Sequence, residues 1–566
     1  MKAKLFICTL AVCLSHSANA QAQQTPSLSP KAIDPSPTQV PNLPDTIPST
    51  QKVPQLKPRT LSVPSNSTPA VEAKVRVGRV EILGSKAFSP KELSAVTAPF
   101  TNKSLTFNQL LGIRAAITNL YTSRGYTTSG AFLPPQDVTD GVVQVQVIEG
   151  QLERIEIRGL SRLRNGYVRS RIARAVQTPI NISRLESALQ LLQLNPLFSK
   201  VSAELTAGTS PSRSVLVLNL QESKRFRSAL SVNNQESPSV GSTGTNATLA
   251  YNNLLGLGDR LSTTTNLTEG VFSFGVSYEI PITTRDGRIS LRYDNGRNRV
   301  IEQPFAPLDI KGKSETYSIG FGQPLTQTPS TEFALGLSAD LRRSRTFIFD
   351  NEPFSFTTGP EEGESKVTVL RFTQDWTKRR PNQVLAARSQ FSLGLGLLGA
   401  TVNNTGTDGR FFSWLGQFQW VNALNEQKDA TLIIRTAAQL TGDSLLPLEQ
   451  FSIGGLESVR GYRANQRVGD SGIIGSVELR LPIVRDSGGF GLLQITPFID
   501  VGTIWNSREK EGETGILAST GLGLRWQLRN SLAARLSWGI PLLKVDSQGD
   551  SLQDDGIDFA LEWQPF

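Results

Sequence analysis

The chain has 566 residues, 19% of them charged, a formal net charge of +9, and only two cysteines, one histidine and one methionine. Those rare residues, Met1, Cys8, Cys13 and His16, all fall in the first twenty positions, so a chain lacking that segment has no disulfide, no thiolate or imidazole metal site and no Cys- or His-based catalysis. Losing Lys2 and Lys4 lowers the charge from +9 to +7, and the remaining cations are scattered, as on a solvated surface or polar lumen and unlike a nucleic-acid stripe.

Residues 1–20 open with Met1-Lys2-Ala3-Lys4, continue through an apolar run to Leu14 and end in Ala18-Asn19-Ala20. This is the pattern of a secretory signal peptide, with the mature chain expected to start at Gln21. Residues 21–73 are dense in Pro, Ser, Thr and Gln without apolar periodicity, which predicts a Pro-rich linker, disordered or polyproline-like. Pro26 and Pro30 argue against a helix there.

From residue 74 the texture changes. Val80-Glu-Ile-Leu-Gly84 reads as a strand, and Ser89-Pro-Lys-Glu92 and Thr106-Phe-Asn-Gln109 are capping boxes that start helices. Gly125 is placed to end the second helix, and strands follow at Ala131–Leu133 and Val143–Val147, the latter alternating with Gln144 and Gln146. The pattern then recurs: Ile155-Glu-Ile-Arg-Gly159 repeats the first strand, Ser183-Arg-Leu-Glu186 reads as a second version of the box, and strands follow at 200–205 and 214–220. Two α+β units are expected, 74–149 and 150–223, each ordered strand, helix, helix, strand, strand.

Residues 224–566 lose the helical signals. Phe272, Phe274, Val276 and Tyr278 alternate with Ser and Gly, and similar apolar faces recur at Leu291, Leu337, Val477 and Leu522. About sixteen such runs with polar opposite faces fit a transmembrane antiparallel barrel of strands about 9 to 11 residues long. No apolar run after the signal segment approaches the roughly 18 to 20 residues that a spanning helix requires. Gly394-Leu-Gly-Leu-Leu-Gly399 matches a dinucleotide fingerprint but is expected to lie within a barrel strand, with no helix to receive a pyrophosphate. The pairs Glu361-Glu362 and Asp554-Asp555 read as solvated loop charge, so no catalytic residue, metal site or cofactor is expected.

One stretch breaks the alternation: Ser452-Ile-Gly-Gly-Leu-Glu-Ser-Val-Arg-Gly-Tyr462, within a long loop at 442–471. Together with Thr496-Pro-Phe-Ile-Asp-Val-Gly502 and Val145-Gln-Val-Ile-Glu-Gly150, it carries a resemblance to the outer-membrane transporters of two-partner secretion, the haemolysin-activator and filamentous-haemagglutinin group. The resemblance covers about Lys74 to Phe566. It implies that the two units are POTRA domains in the periplasm below a sixteen-stranded barrel in the outer membrane of a Gram-negative-type cell. It also implies that the loop motif Val459, Arg460, Gly461, Tyr462 folds into the lumen, where Arg460 pairs with Asp500 of the barrel-wall motif Phe498, Ile499, Asp500. The implied partners are a large secreted exoprotein, unfolded in the periplasm, together with outer-membrane lipid and the barrel assembly machinery. A barrel-insertion factor of the same superfamily and a passive porin are the alternatives; the two periplasmic units disfavour the porin. Mass spectrometry of the mature protein is expected to give Gln21 as its first residue, and retention of residues 1–20 would contradict that.

Overall fold

The structure, a computed structural model, describes residues 74–565 except 139, 211, 405, 486–488, 508–514, 530 and 546–548, together with Leu43. The signal peptide, the linker other than Leu43 and the segment holding Pro26 and Pro30 lie outside the described residues, as does Phe566.

The first α+β unit contains β1 (Lys74–Val77), β2 (Arg79–Leu83), α1 (Pro90–Thr97), β3 (Lys103–Thr106), α2 (Phe107–Ser123), β4 (Gly130–Phe132) and β5 (Val142–Ile148). Both helices start at the boxes read from the sequence, with Ser89 and Thr106 accepting the backbone N–H of Glu92 and Gln109. The sheet runs β2-β5-β4, with β2 and β5 parallel. A separate β1–β3 ladder was not anticipated; four-residue strands are too short for alternation to show. Ile113, Ile117 and Tyr121 of α2 pack against Val143 and Val145, and each buried aliphatic side chain contributes about 1.5–3 kcal/mol.

The second unit contains β6 (Gln151–Arg158), α3 (Asn165–Ala175), α4 (Ile182–Leu194), β7 (Phe198–Ala207) and β8 (Arg213–Glu222), with sheet order β6-β8-β7. Asn181, not Ser183, caps α4: its side-chain oxygen accepts the Arg184 N–H at 3.2 Å, which leaves Ser183 inside the first turn. Leu185, Leu189 and Leu192 face the sheet as their spacing predicts.

Beyond β8 the chain closes a sixteen-stranded antiparallel barrel, its last strand (Ile557–Trp563) pairing back to the first (Phe226–Asn233). The loop after the seventh strand adds a two-residue piece, Glu352–Pro353, to that strand. Strand lengths run from 7 to 18 residues, wider than expected. Strands six (Lys311–Gln327), seven (Thr331–Ile348) and eight (Glu364–Arg380) extend well past the apolar band. Leu337, Ile499 and Trp538 point outward and exposed, whereas their neighbours Asp500 and Ser537 are buried in the interior. No helix among the described residues is long and apolar enough to cross a membrane. Gly394 and Leu395 end the ninth strand, but Gly396–Gly399 lies in the following loop, with Leu398 and Gly399 at positive φ. The fingerprint thus straddles a strand end instead of lying within a strand.

The second unit docks on the near rim of the barrel. On α3, Arg171 stacks 3.4 Å over the Tyr167 ring and donates at 2.5 Å to Asp286 in the turn between the fourth and fifth strands. Gly258 abuts Tyr167, and a Cβ there would sit 2.5 Å from the ring. The segment leading into α3 is held by Glu222, which accepts the backbone N–H groups of Ser161, Arg162 and Leu163 at 2.8, 2.9 and 2.9 Å. Burial alone would raise the Glu222 carboxyl, but these bonds outweigh it and hold the group down to about 2. A carboxyl depressed by folding stabilises above its unfolded value and loses that contribution as the pH falls toward the folded one. The thermal stability of residues 74–223, followed by circular dichroism, is therefore expected to fall as the pH drops from about 4.5 toward 2. Glu222→Gln is expected to cost roughly 2–3 kcal/mol at pH 6 and to flatten that pH dependence.

Candidate functional site

The long loop leaves the eleventh strand at Thr441 and rejoins the wall at Ser471, where the twelfth strand (Ser471–Arg485) begins. Inside it, Phe451–Ile453 and Arg467–Gly469 form a short antiparallel pair. This pair brings the segment between them back on itself. Gly454, Gly455 and Gly461 have φ of +110°, +87° and +86°, a region that side chains with a Cβ rarely adopt. At Gly461 space is limiting too, because a Cβ would lie 2.7 Å from the Gly539 carbonyl carbon on the fifteenth strand (Leu532–Pro541). The backbone of the loop tip therefore touches the backbone of the wall.

Arg460 is 3% exposed. Its Nε donates to Asp500 Oδ2 at 2.7 Å and its Nη2 to Oδ1 at 2.9 Å, a bidentate pair, while its backbone N–H reaches Oδ2 at 3.2 Å. Asp500 lies midway along the thirteenth strand (Leu492–Trp505) with its side chain inward; Ile499 beside it faces out at 61% exposure. The Phe498 ring lies under the guanidinium at 3.6 Å, and Gly521 on the fourteenth strand (Gly515–Leu528) leaves room for that ring. Val459 and Tyr462 join a buried cluster with Phe451, Ile453, Ile474, Ile504 and Leu517, and the Tyr462 hydroxyl lies 2.8 Å from the Ala518 and Leu543 carbonyls. Six of the seven residues singled out in the sequence thus meet in one place inside the lumen, and Ile499 points away from it.

Other participants were not recognised in the sequence. Glu478 on the twelfth strand accepts Arg460 Nη1 at 2.5 Å and Arg480 Nε at 2.9 Å. The four side chains form an alternating chain Asp500, Arg460, Glu478, Arg480, each at most 6% exposed. Alternation along the twelfth strand does show that Glu478 and Arg480 point inward, since Val477 and Leu481 face out. That Glu478 meets Arg460 has no such signal. Arg463 holds Asp554 through Nε at 2.6 Å and Nη2 at 2.9 Å, and it also reaches Glu302. Asp554 is therefore a half-buried partner of the loop, not the solvated charge that its polar neighbourhood suggests.

At the other end of the loop, Glu449 accepts Arg342 at 2.7 Å and Arg371 at 2.8 Å, from strands seven and eight. Arg371 also holds Asp340 at 2.7 Å, and Leu445, Leu446 and Leu448 pack on Val367, Val369 and Phe411. The loop is thus tied to opposite walls and crosses the lumen between them. Removing one partner of such a buried pair strands the other, at a cost of about 3–5 kcal/mol when the pair is dry.

Residues 212–526, more than half of the chain, match the family model described as Haemolysin secretion/activation protein ShlB/FhaC/HecB, and residues 75–150 match the ShlB-type POTRA domain. The chain is 22% identical over 475 residues to the outer membrane transporter CdiB of Dickeya dadantii (strain 3937), covering 80% of each protein. It is 24% identical over 503 residues to the heme/hemopexin transporter protein HuxB of Haemophilus influenzae (strain 86-028NP), covering 83% of this chain and 84% of that protein. The solved structure of CdiB from Escherichia coli superposes with a TM-score of 0.69 at 20% identity, over 89% of this chain and 92% of the other, a likeness of fold. The barrel accordingly lies in the outer membrane with the POTRA region on its periplasmic side, and the transporter works with a secreted partner protein. The chain belongs to the haemolysin secretion/activation (ShlB/FhaC/HecB) family of two-partner secretion transporters.

Proposed function

We propose that this transporter binds a large exoprotein while it is unfolded in the periplasm and exports it through the barrel. In this reading residues 74–149 and 150–223 act as two client-binding POTRA domains, and residues 224–566 form the conduit. The outermost strands of the two sheets, β2 and β4 in the first and β6 and β7 in the second, suit an extended client, which gains main-chain hydrogen bonds with little demand on its sequence. Lipid surrounds the apolar outer face, and the closing strand Ile557–Trp563 is what the barrel assembly machinery would read.

The observation that carries the proposal is the loop crossing the lumen with Arg460 held by Asp500 and Glu478. In this reading the loop bars a polypeptide while it stays where it is, and the ionic contacts define the resting position from which export starts. The barrel itself rests on its strand ladders and does not depend on these contacts. Arg460→Ala and Asp500→Ala are therefore expected to reduce secretion severalfold or more while the unboiled protein still migrates as a folded barrel. In a double-mutant cycle the two defects should be strongly non-additive. Full secretion by either single variant, or strictly additive losses, would refute the lock. A second experiment separates recruitment from conduction: deletion of residues 74–222 should abolish binding of the purified exoprotein and its secretion, with barrel insertion retained. Secretion unchanged by that deletion would eliminate the recruiting role.

A further inference from the structure

Strands six, seven and eight have 17, 18 and 17 residues, more than the roughly 9–11 that a tilted strand needs to span a membrane. On the outer face of the barrel the surplus is charged. Tyr293 and Tyr317, with ring centroids 4.9 Å apart, cap the apolar band formed below them by Leu291, Ile319, Phe321 and Leu337, as an aromatic girdle does at a membrane interface. Side chains on one face of a strand recur about every 6.7 Å. The next three outward rungs away from the periplasm hold a dense set of cations.

The first rung aligns Asn295, Glu315, Arg343 and Lys366 across strands five to eight. On the second, Arg297 stands directly opposite Lys313, Lys313 opposite Arg345, and Arg345 opposite Glu364. The third holds Arg299 and Lys311 beside Phe347. Seven cations therefore face three carboxylates on or beside these rungs: Glu315, Glu364 and Asp309, the last bonded to Arg299 and Lys311 at 2.9 and 2.6 Å. Glu364 is shared by Arg343, Arg345 and Lys366. Among the described residues Arg297 and Lys313 pair with no carboxylate. The acidic residues Asp350, Glu352, Glu361 and Glu362 belong to the loop beyond the strand ends.

Like charges placed directly opposite on a sheet destabilise it, so the Arg297, Lys313, Arg345 row carries a cost that an anion between them would remove. We propose that this outward face binds the phosphorylated headgroup of an outer-leaflet lipid, with the cationic rungs on phosphate and the acyl chains on the apolar band below Tyr293 and Tyr317. The rungs are continuous with that band, and an amphiphile matches both halves of the surface where a free anion would use only one. The inward-facing Arg292, which bonds Asp294, is excluded from the site by its orientation.

The test measures binding of bisphosphorylated lipid A to the purified full-length protein in neutral detergent, by native mass spectrometry. Replacing Arg297, Lys313 and Arg345 together by glutamine is expected to weaken binding on the order of 100-fold, from about 5-fold per cation at an anionic lipid surface. Arg292→Gln is expected to bind as the parent does. Dephosphorylated lipid A should bind weakly, and inorganic phosphate at equal concentration should not compete. Parent-like binding by the triple variant, an equal loss in Arg292→Gln, or effective competition by inorganic phosphate would each overturn the proposal. If the triple variant yields no folded barrel, Lys313→Gln alone serves, with about a 5-fold loss expected and an unchanged affinity counting against the site.

Discussion

Backbone amides in hydrocarbon have no water to bond, and each one left unpaired costs several kcal/mol. A sheet in that setting cannot have an edge, so the pairing of Ile557–Trp563 with Phe226–Asn233 is the constraint on which the rest of the molecule depends. Closure turns one face of every strand toward lipid and the other toward an enclosed space. It thereby fixes where polar side chains can go, and it creates a lumen wide enough to need filling.

The long loop fills it, and electrostatics decides how. Charges inside a barrel are partly removed from water and are tolerable only when paired. Asp500, Arg460, Glu478 and Arg480 alternate in sign and sum to zero, and Glu449 is held by two arginines on the far wall. The ties differ in kind from the strand ladders: they are side-chain contacts that can exchange partners or hydrate without opening a single backbone pair. In the proposed role, a barrel that must stay sealed against lipid and yet pass a polypeptide needs that separation between what holds the wall and what holds the loop. Gly461 against Gly539 serves the same end, allowing the loop tip to reach the wall closely enough for the arginine to bond with bidentate geometry.

The periplasmic part follows ordinary soluble rules. Each unit buries a helix face on a small sheet, and the second is fixed to the near rim through Arg171, Tyr167 and Asp286. Glu222 ties the end of β8 to the segment entering α3, so the strand that leads into the barrel and the helix that docks on it are held by one carboxylate. The orientation of the sheet edges beneath the pore thus depends on a few named polar contacts.

What could be read from the sequence is what periodicity encodes. Alternation at Leu522 and Leu524, or at Ile499 between Phe498 and Asp500, states which side of a strand meets lipid, because a residue's face depends only on its place in its own strand. The capping boxes at Ser89 and Thr106 were legible for the same reason: the bonds they make are three residues long. The β1–β3 ladder, the Asn181 cap and the extended strands six to eight were not, since four-residue strands lack a period, neighbouring polar residues compete for one cap, and strand ends past the apolar band lose their pattern. The motif around Arg460 was visible through its glycines and its likeness to a family, but Glu478, Glu449 and Asp554 as partners were not. Which charges meet across a lumen depends on barrel closure, register and the path of a 29-residue excursion, and these are properties of the whole sheet that no local stretch of sequence contains.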